Sequence, residues 1–140
     1  MTSQEAVQAA VTPPPDAVAA KILVVDDEPG VRRSLAILLR RDGYQVTEAG
    51  SVAEAVGRLK GEEFDLVIGD LRMEPLNGVD LLTLARRYRP RCRVIIVTAF
   101  GSPEARAECL GCGAIDFLEK PLDAGALQSR IQLLLAGDGR

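Results

Sequence analysis

Residues 64–72 read FDLVIGDLR, in which Leu66, Val67 and Ile68 make an unbroken branched apolar run that stops at Asp70. A half-exposed strand alternates apolar and polar residues, so a continuous run this short suits a parallel strand covered on both faces. Residues 22–25 (ILVV) and 93–98 (RVIIVT) repeat the pattern, 114–119 (AIDFLE) reads as a fifth strand, and the more polar 44–49 (YQVTEA) suits an edge strand. Helical spacing fills the gaps between them. Pro29 stands in a first turn, Val31, Leu35, Leu38 and Leu39 follow on one stripe, and Gly43 stops the helix. Ser51 and Glu54 are spaced as a capping box before Val52, Ala55, Val56 and Leu59. Asn77 is placed to cap a helix that buries Val79, Leu82 and Ala85 and runs to about Tyr88, ahead of Pro90. Ser102-Pro103 opens a fourth helix with few large apolar residues beyond Leu110, which is expected to be loosely held. Asp123 caps the last one, with Leu122 and Leu127 as a hydrophobic staple and Leu127, Ile131, Leu134 and Leu135 as its stripe.

Five strands alternating with five helices through short links predict an α/β fold, since right-handed crossovers then require a parallel sheet covered on both faces. Four of the strands finish in polar residues: Asp26 and Asp27, Asp70, Thr98, and Lys120. Parallel strands bring those ends to one edge, where open α/β sheets bind their ligands. Three carboxylates packed together repel one another unless a cation lies among them. Lys120 supplies one positive charge, and a magnesium ion, which takes one or two carboxylates, water and phosphate oxygens, suits the rest. A carboxylate beside such an ion can attack a phosphoryl group, with the Lys120 ammonium and the Thr98 hydroxyl neutralising the transferred oxygens.

The 140 residues suit one domain, and a net charge of −3 gives no support to nucleic-acid or membrane binding. With no histidine in the chain, histidine acid–base chemistry and His-ligated metals are excluded. The three cysteines fit no secreted framework, no signal-peptide pattern opens the chain, and no apolar run is long enough to span a bilayer; the reading is a reduced, cytoplasmic protein. Residues 1–20, with Pro13, Pro14 and Pro15 in sequence, are read as a disordered or polyproline-like leader, residues 21–136 as the domain and 137–140 as a short tail. Arg86, Arg87, Arg89, Arg91 and Arg93 read as a solvated basic surface, with contact to an acidic partner as the alternative. Cys109 and Cys112 read as small packing residues rather than a redox pair.

The segments KILVVDDEPGVRRSL, DLVIGDLRM, VIIVTAFGS and GAIDFLEKPL together resemble the response-regulator receiver domain of two-component signalling, over about residues 21–135. The resemblance implies a flavodoxin-like, doubly wound five-stranded sheet in the order 2-1-3-4-5. By position it implies Asp70 as phosphoacceptor, Asp26 and Asp27 as the acid pair that holds magnesium, and Asp27 as its direct ligand. The backbone carbonyl of Arg72 would complete the metal site, Thr98 and Phe117 would be the switch pair, and Lys120, before a cis Pro121, would bind the phosphoryl group. Its partners would be a sensor histidine kinase or phosphotransfer protein and a downstream protein docking on the face of helix 4, strand 5 and helix 5. Such a chain catalyses only its own phosphorylation and dephosphorylation, as a monomer or weak phosphorylation-dependent dimer. Because the sequence stops soon after the last helix, a stand-alone regulator is expected; a receiver-like module that binds constitutively is the alternative. A haloacid-dehalogenase-type phosphatase would need a second carboxylate two residues beyond Asp70, where Arg72 stands. Two departures stand out: Met73-Glu74-Pro75 replaces the usual Met-Pro-Gly, and Gly69 replaces a bulkier residue. Arg72 and Phe100 lie two beyond the phosphoacceptor and the switch threonine, positions that influence hydrolysis in the family, and their bulk predicts a long-lived phosphoryl group.

Overall fold

A computed structural model describes residues 19–136. The proposed leader, except for its last two residues, and the proposed tail lie outside the described residues. Strands β1 (Lys21–Val25), β2 (Gln45–Ala49), β3 (Leu66–Asp70), β4 (Arg93–Thr98) and β5 (Asp116–Glu119) alternate with helices α1 (Pro29–Arg41), α2 (Val52–Gly61), α3 (Gly78–Tyr88), α4 (Pro103–Gly111) and α5 (Ala124–Ala136). All neighbouring strands pair in parallel, in the order β2-β1-β3-β4-β5. The sheet is the expected five-stranded, doubly wound one, with the polar YQVTEA run at an edge. The order reverses between β1 and β3, which opens a crevice at their carboxyl ends.

Alternate residues of each central strand enter opposite cores, because successive side chains leave a strand on opposite faces. Leu23, Val25, Val67 and Ile96 pack with Leu59, Leu81, Leu82 and Phe117 on one side. Ile22, Val24, Ile68 and Ile95 pack with Leu39, Leu127, Ile131 and Leu135 on the other. Every residue of β3 is buried, as the continuous apolar run requires.

Local differences from the sequence reading have local causes. Gly43 follows the C-terminal end of α1 with φ of 96°, and the Tyr44 N–H still bonds back to the Leu39 carbonyl, so β2 starts at Gln45 rather than Tyr44. Only half of the Ser51–Glu54 box forms: Ser51 Oγ accepts from the Glu54 N–H, but the Glu54 carboxylate reaches Gly50 N–H instead of the cap itself. The reciprocal box is at Asn77 and Asp80. In α1, Val31 remains 39 % exposed and Leu35 and Leu38 are half-buried; with Leu122 and Leu127 they line an apolar groove of about 870 Å³ between α1 and α5. In α4, the one buried residue is Cys109, while Leu110 is exposed.

Leu81, not singled out from sequence, is fully buried because Gly69 leaves it space: a Cβ at position 69 would collide with Leu81 Cδ2. Gly69 and Leu81 thus form a complementary pair across β3 and α3. Gly69→Ala should lower stability by about 1–3 kcal/mol through overpacking. In urea melts its cost should fall by at least ~0.5 kcal/mol when Leu81 is also cut to Ala; strictly additive effects would refute the pairing.

Candidate functional site

The ends of β1, β3 and β5 meet in the crevice through one amine. Lys120 Nζ lies 2.8 Å from Asp70 Oδ2 and 3.1 Å from Asp26 Oδ2. Carboxylate oxygens of Asp26, Asp27 and Asp70 all lie within 4.8 Å of one another. Asp26 and Asp70 are only 4 % and 6 % exposed, whereas Asp27 is exposed to solvent. Burial lowers the pKa of Lys120, but its hydrogen bonds to Asp70 and Asp26 and their negative charge outweigh this and hold it above the usual 10.5.

The other oxygen of each buried carboxylate also has a partner. Asp26 Oδ1 accepts from the Glu28 N–H at 2.9 Å, and Asp70 Oδ1 accepts from the Arg72 N–H at 3.0 Å. Both bonds tighten the loop that leaves each strand. Among the described residues, neither the Asp27 carboxylate nor the Arg72 carbonyl has a hydrogen-bond partner. The Asp27 carboxylate is therefore open in a cluster with more negative charge than Lys120 balances. That donor set fits a hard divalent cation.

Backbone contacts place the neighbouring groups. The Leu71 N–H bonds to the Val97 carbonyl and the Lys120 N–H to the Thr98 carbonyl, both at 2.8 Å, which carries the β3–β4 and β4–β5 pairing past the strand ends. Thr98 is fully buried, and its Oγ1 accepts from the Phe100 N–H at 3.0 Å. Gly78 lets α3 begin directly against β3, since a Cβ there would lie 2.8 Å from the Asp70 carbonyl oxygen. Glu74–Pro75 and Lys120–Pro121 are cis peptides. The Arg72 guanidinium stacks 4.8 Å over the Phe100 ring, and both border a cavity of about 510 Å³ that Asp27, Asp70 and Lys120 also line.

Phe117 lies apart from this cluster. It is 3 % exposed, in the core with Cys109 and Ala114, and its carbonyl accepts from Arg106 Nη1 at 2.9 Å, tying α4 to β5. Sequence reading passed over Arg106 and also Arg32, whose Nη1 donates to the Asp26 carbonyl at 2.8 Å. A cation near a helix start, where the dipole disfavours it, was the available signal for Arg32. Of the arginine-rich stretch, Arg89 pairs with the Leu59 carbonyl and Glu63, and Arg93 with the Leu134 carbonyl, so part of it fastens helix ends rather than facing solvent.

The fold and the strand-end carboxylates define a class. The chain belongs to the response regulator receiver domain family, whose model matches residues 22–132. Response regulator protein PilR of Pseudomonas aeruginosa is 38 % identical over 115 residues, which cover 82 % of this chain and 26 % of that protein. Transcriptional regulatory protein ZraR of Escherichia coli is 40 % identical over the same length, with the same coverage. The chain thus spans about a quarter of the length of these curated relatives. Among solved structures, a CheY-like receiver domain protein from Methanospirillum hungatei matches with a TM-score of 0.82 at 29 % identity, over 86 % of this chain and 96 % of that one. A Burkholderia pseudomallei response regulator, solved with a phosphorylated aspartic acid and a calcium ion, matches with a TM-score of 0.74 at 25 % identity, over 86 % of this chain and 75 % of that one. No helix among the described residues is long and apolar enough to cross a membrane.

Because the Lys120 pKa is raised in the fold, its contribution to stability is complete below the unfolded value of 10.5 and is lost only as the pH climbs through the folded value. Lys120→Met leaves its carboxylate partners uncompensated and should cost about 1–3 kcal/mol at neutral pH, with part recovered on adding magnesium. Urea unfolding checks this, and unchanged stability in the variant would contradict the assigned charge balance.

Proposed function

We propose that Asp70 accepts a phosphoryl group from the phosphohistidine of a sensor kinase or phosphotransfer protein. One Asp70 oxygen attacks phosphorus while the phosphorus–nitrogen bond of the donor breaks, and the bonding electrons leave with the donor imidazole. The observation that carries this reading is the Lys120 ammonium in contact with both Asp70 and Asp26 while Asp27 is left open. Asp26, Asp27, Asp70 and the Arg72 carbonyl are the groups to hold magnesium, with Asp27 as the direct ligand. When bound, that ion neutralises phosphoryl oxygens. Lys120 balances the charge from the other side, and Thr98 turns its hydroxyl from the Phe100 N–H toward the new oxygens. The family match and the phosphorylated aspartic acid and calcium ion of the Burkholderia relative support this assignment.

A phosphoryl group adds up to two negative charges and three acceptor oxygens, which is the input for a population shift. Phe117 is buried from the outset, so drawing Thr98 inward stabilises that packing rather than creating it. The readout is α4, joined to β5 through Arg106 and anchored by the single buried residue Cys109. Its output passes to a downstream protein on the face made by α4, β5 and α5. In this reading residues 21–136 act in the cytoplasm as the phosphoacceptor unit, monomeric or weakly dimeric when phosphorylated, and without activity on other substrates. It binds neither nucleic acid nor membrane directly.

Intact-mass spectrometry after incubation with a small phosphodonor and magnesium should show a gain of one phosphoryl group in the parent and none in Asp70→Asn. No gain in either, with candidate kinases also present, would favour a constitutive binding module. The Arg72–Phe100 stack narrows the approach of water, so the phosphoryl group should persist for minutes or longer and be lost faster from Arg72→Ala or Phe100→Ala. Loss from the parent within seconds would overturn the shielding.

A further inference from the structure

Asp26 is held by every polar atom it has. Its N–H donates to the Ala49 carbonyl, its carboxylate accepts from Glu28 and Lys120, and its carbonyl accepts from Arg32. The last contact is the one that bears on Asp27. The Asp26 carbonyl and the Asp27 N–H belong to one planar peptide unit, so fixing that oxygen fixes the plane from which Asp27 departs. Asp27 itself is exposed, and nothing among the described residues holds its carboxylate. The peptide before it fixes the backbone position from which that carboxylate extends.

Arg32 is well placed to impose that direction. Its Nε donates to Glu48 Oε1 at 3.3 Å while Nη1 reaches the Asp26 carbonyl at 2.8 Å, so one rigid guanidinium joins the acid loop to edge strand β2. Both side chains are largely buried, 18 % and 17 % exposed. Glu48 is in turn gripped by Arg33 and Arg40, at 3.4 and 3.6 Å, so the anchor is braced along α1. Gly50 gives the guanidinium room, since a Cβ there would lie 3.2 Å from Nη1. The loop after β1 and the edge strand β2 are thus held by a side chain that touches neither the phosphoacceptor nor an open oxygen donor.

We propose that Arg32, anchored by Glu48, is the positioning residue of the metal site and sets the affinity of the Asp27 carboxylate for magnesium. The inference rests on the reading of Asp27 as the direct ligand. Charge and position predict opposite results: a cation that merely repels magnesium would weaken its binding, whereas a cation that aims Asp27 strengthens it.

Calorimetric titration of the full chain with magnesium chloride separates the two. Arg32→Met and Arg32→Lys should each weaken binding by about tenfold, the effect expected when an outer-shell partner of a metal ligand is lost. Lysine keeps the charge but cannot span Asp26 and Glu48 as the guanidinium does. Glu48→Gln, which loosens the anchor, should give a smaller loss, and it carries the test with Arg32→Lys if Arg32→Met does not fold. With a small phosphodonor, the magnesium needed for half-maximal phosphorylation should rise while the rate at saturating magnesium stays at the parent value. Parent-like affinity in both Arg32 variants, or tighter binding in Arg32→Met, would overturn the proposal. Asp27→Asn serves as reference and should abolish binding; parent-like binding there would overturn the ligand assignment itself.

Discussion

The contact of the Lys120 ammonium with Asp26 and Asp70 is the interaction on which the arrangement of the site depends. These residues stand 94 and 50 positions from Lys120 in the chain, so only the completed sheet brings them together. Two nearly buried carboxylates side by side are costly. One ammonium relieves that cost in part and is itself stabilised in its charged form. With Asp27 added, three carboxylates face one lysine, and the excess negative charge makes the crevice receptive to a divalent cation.

The rest of the fold sets the positions of those charges. Two apolar layers clamp β1, β3 and β4, so the strand ends are fixed by cores that contain no site residue except Phe117. Small residues permit close approach where it is needed: Gly69 admits Leu81 beneath the phosphoacceptor strand, and Gly78 seats α3 against the carbonyl of Asp70. The site is rigid below and more loosely bounded above. On that side α4 is attached through Cys109 and the Arg106 bond to β5. With a single buried residue, α4 has the low local stability expected of segments with few buried contacts, and in the proposed function it is the element that a change of charge in the crevice acts on.

Much of this was legible in the amino-acid sequence because it depends on residue type along the chain. Unbroken branched runs marked β1, β3 and β4, and polar residues at their ends marked the crevice before any contact was known. The side-chain geometry was not legible in the same way. Arg32 looked like one more basic residue on a helix, since its link to Asp26 depends on the approach of α1 to β2 through Glu48. Glu54 satisfied the spacing of a capping box yet bonded Gly50, because the chain before Ser51 turns so as to present that N–H. Leu81 was missed because its space comes from the absence of a side chain at Gly69, a relation between two elements rather than a local pattern.

In the proposed function the ends of β1, β3 and β5 form one charged site that a divalent cation completes. Amide NMR during a magnesium titration tests it most directly. Saturable shifts should concentrate at Asp26, Asp27, Asp70, Leu71, Arg72 and Lys120, with little change at the opposite end of the sheet around Lys21, Asp65 and Arg93. Shifts that fail to saturate, or that spread over surface carboxylates without preference for these residues, would contradict it.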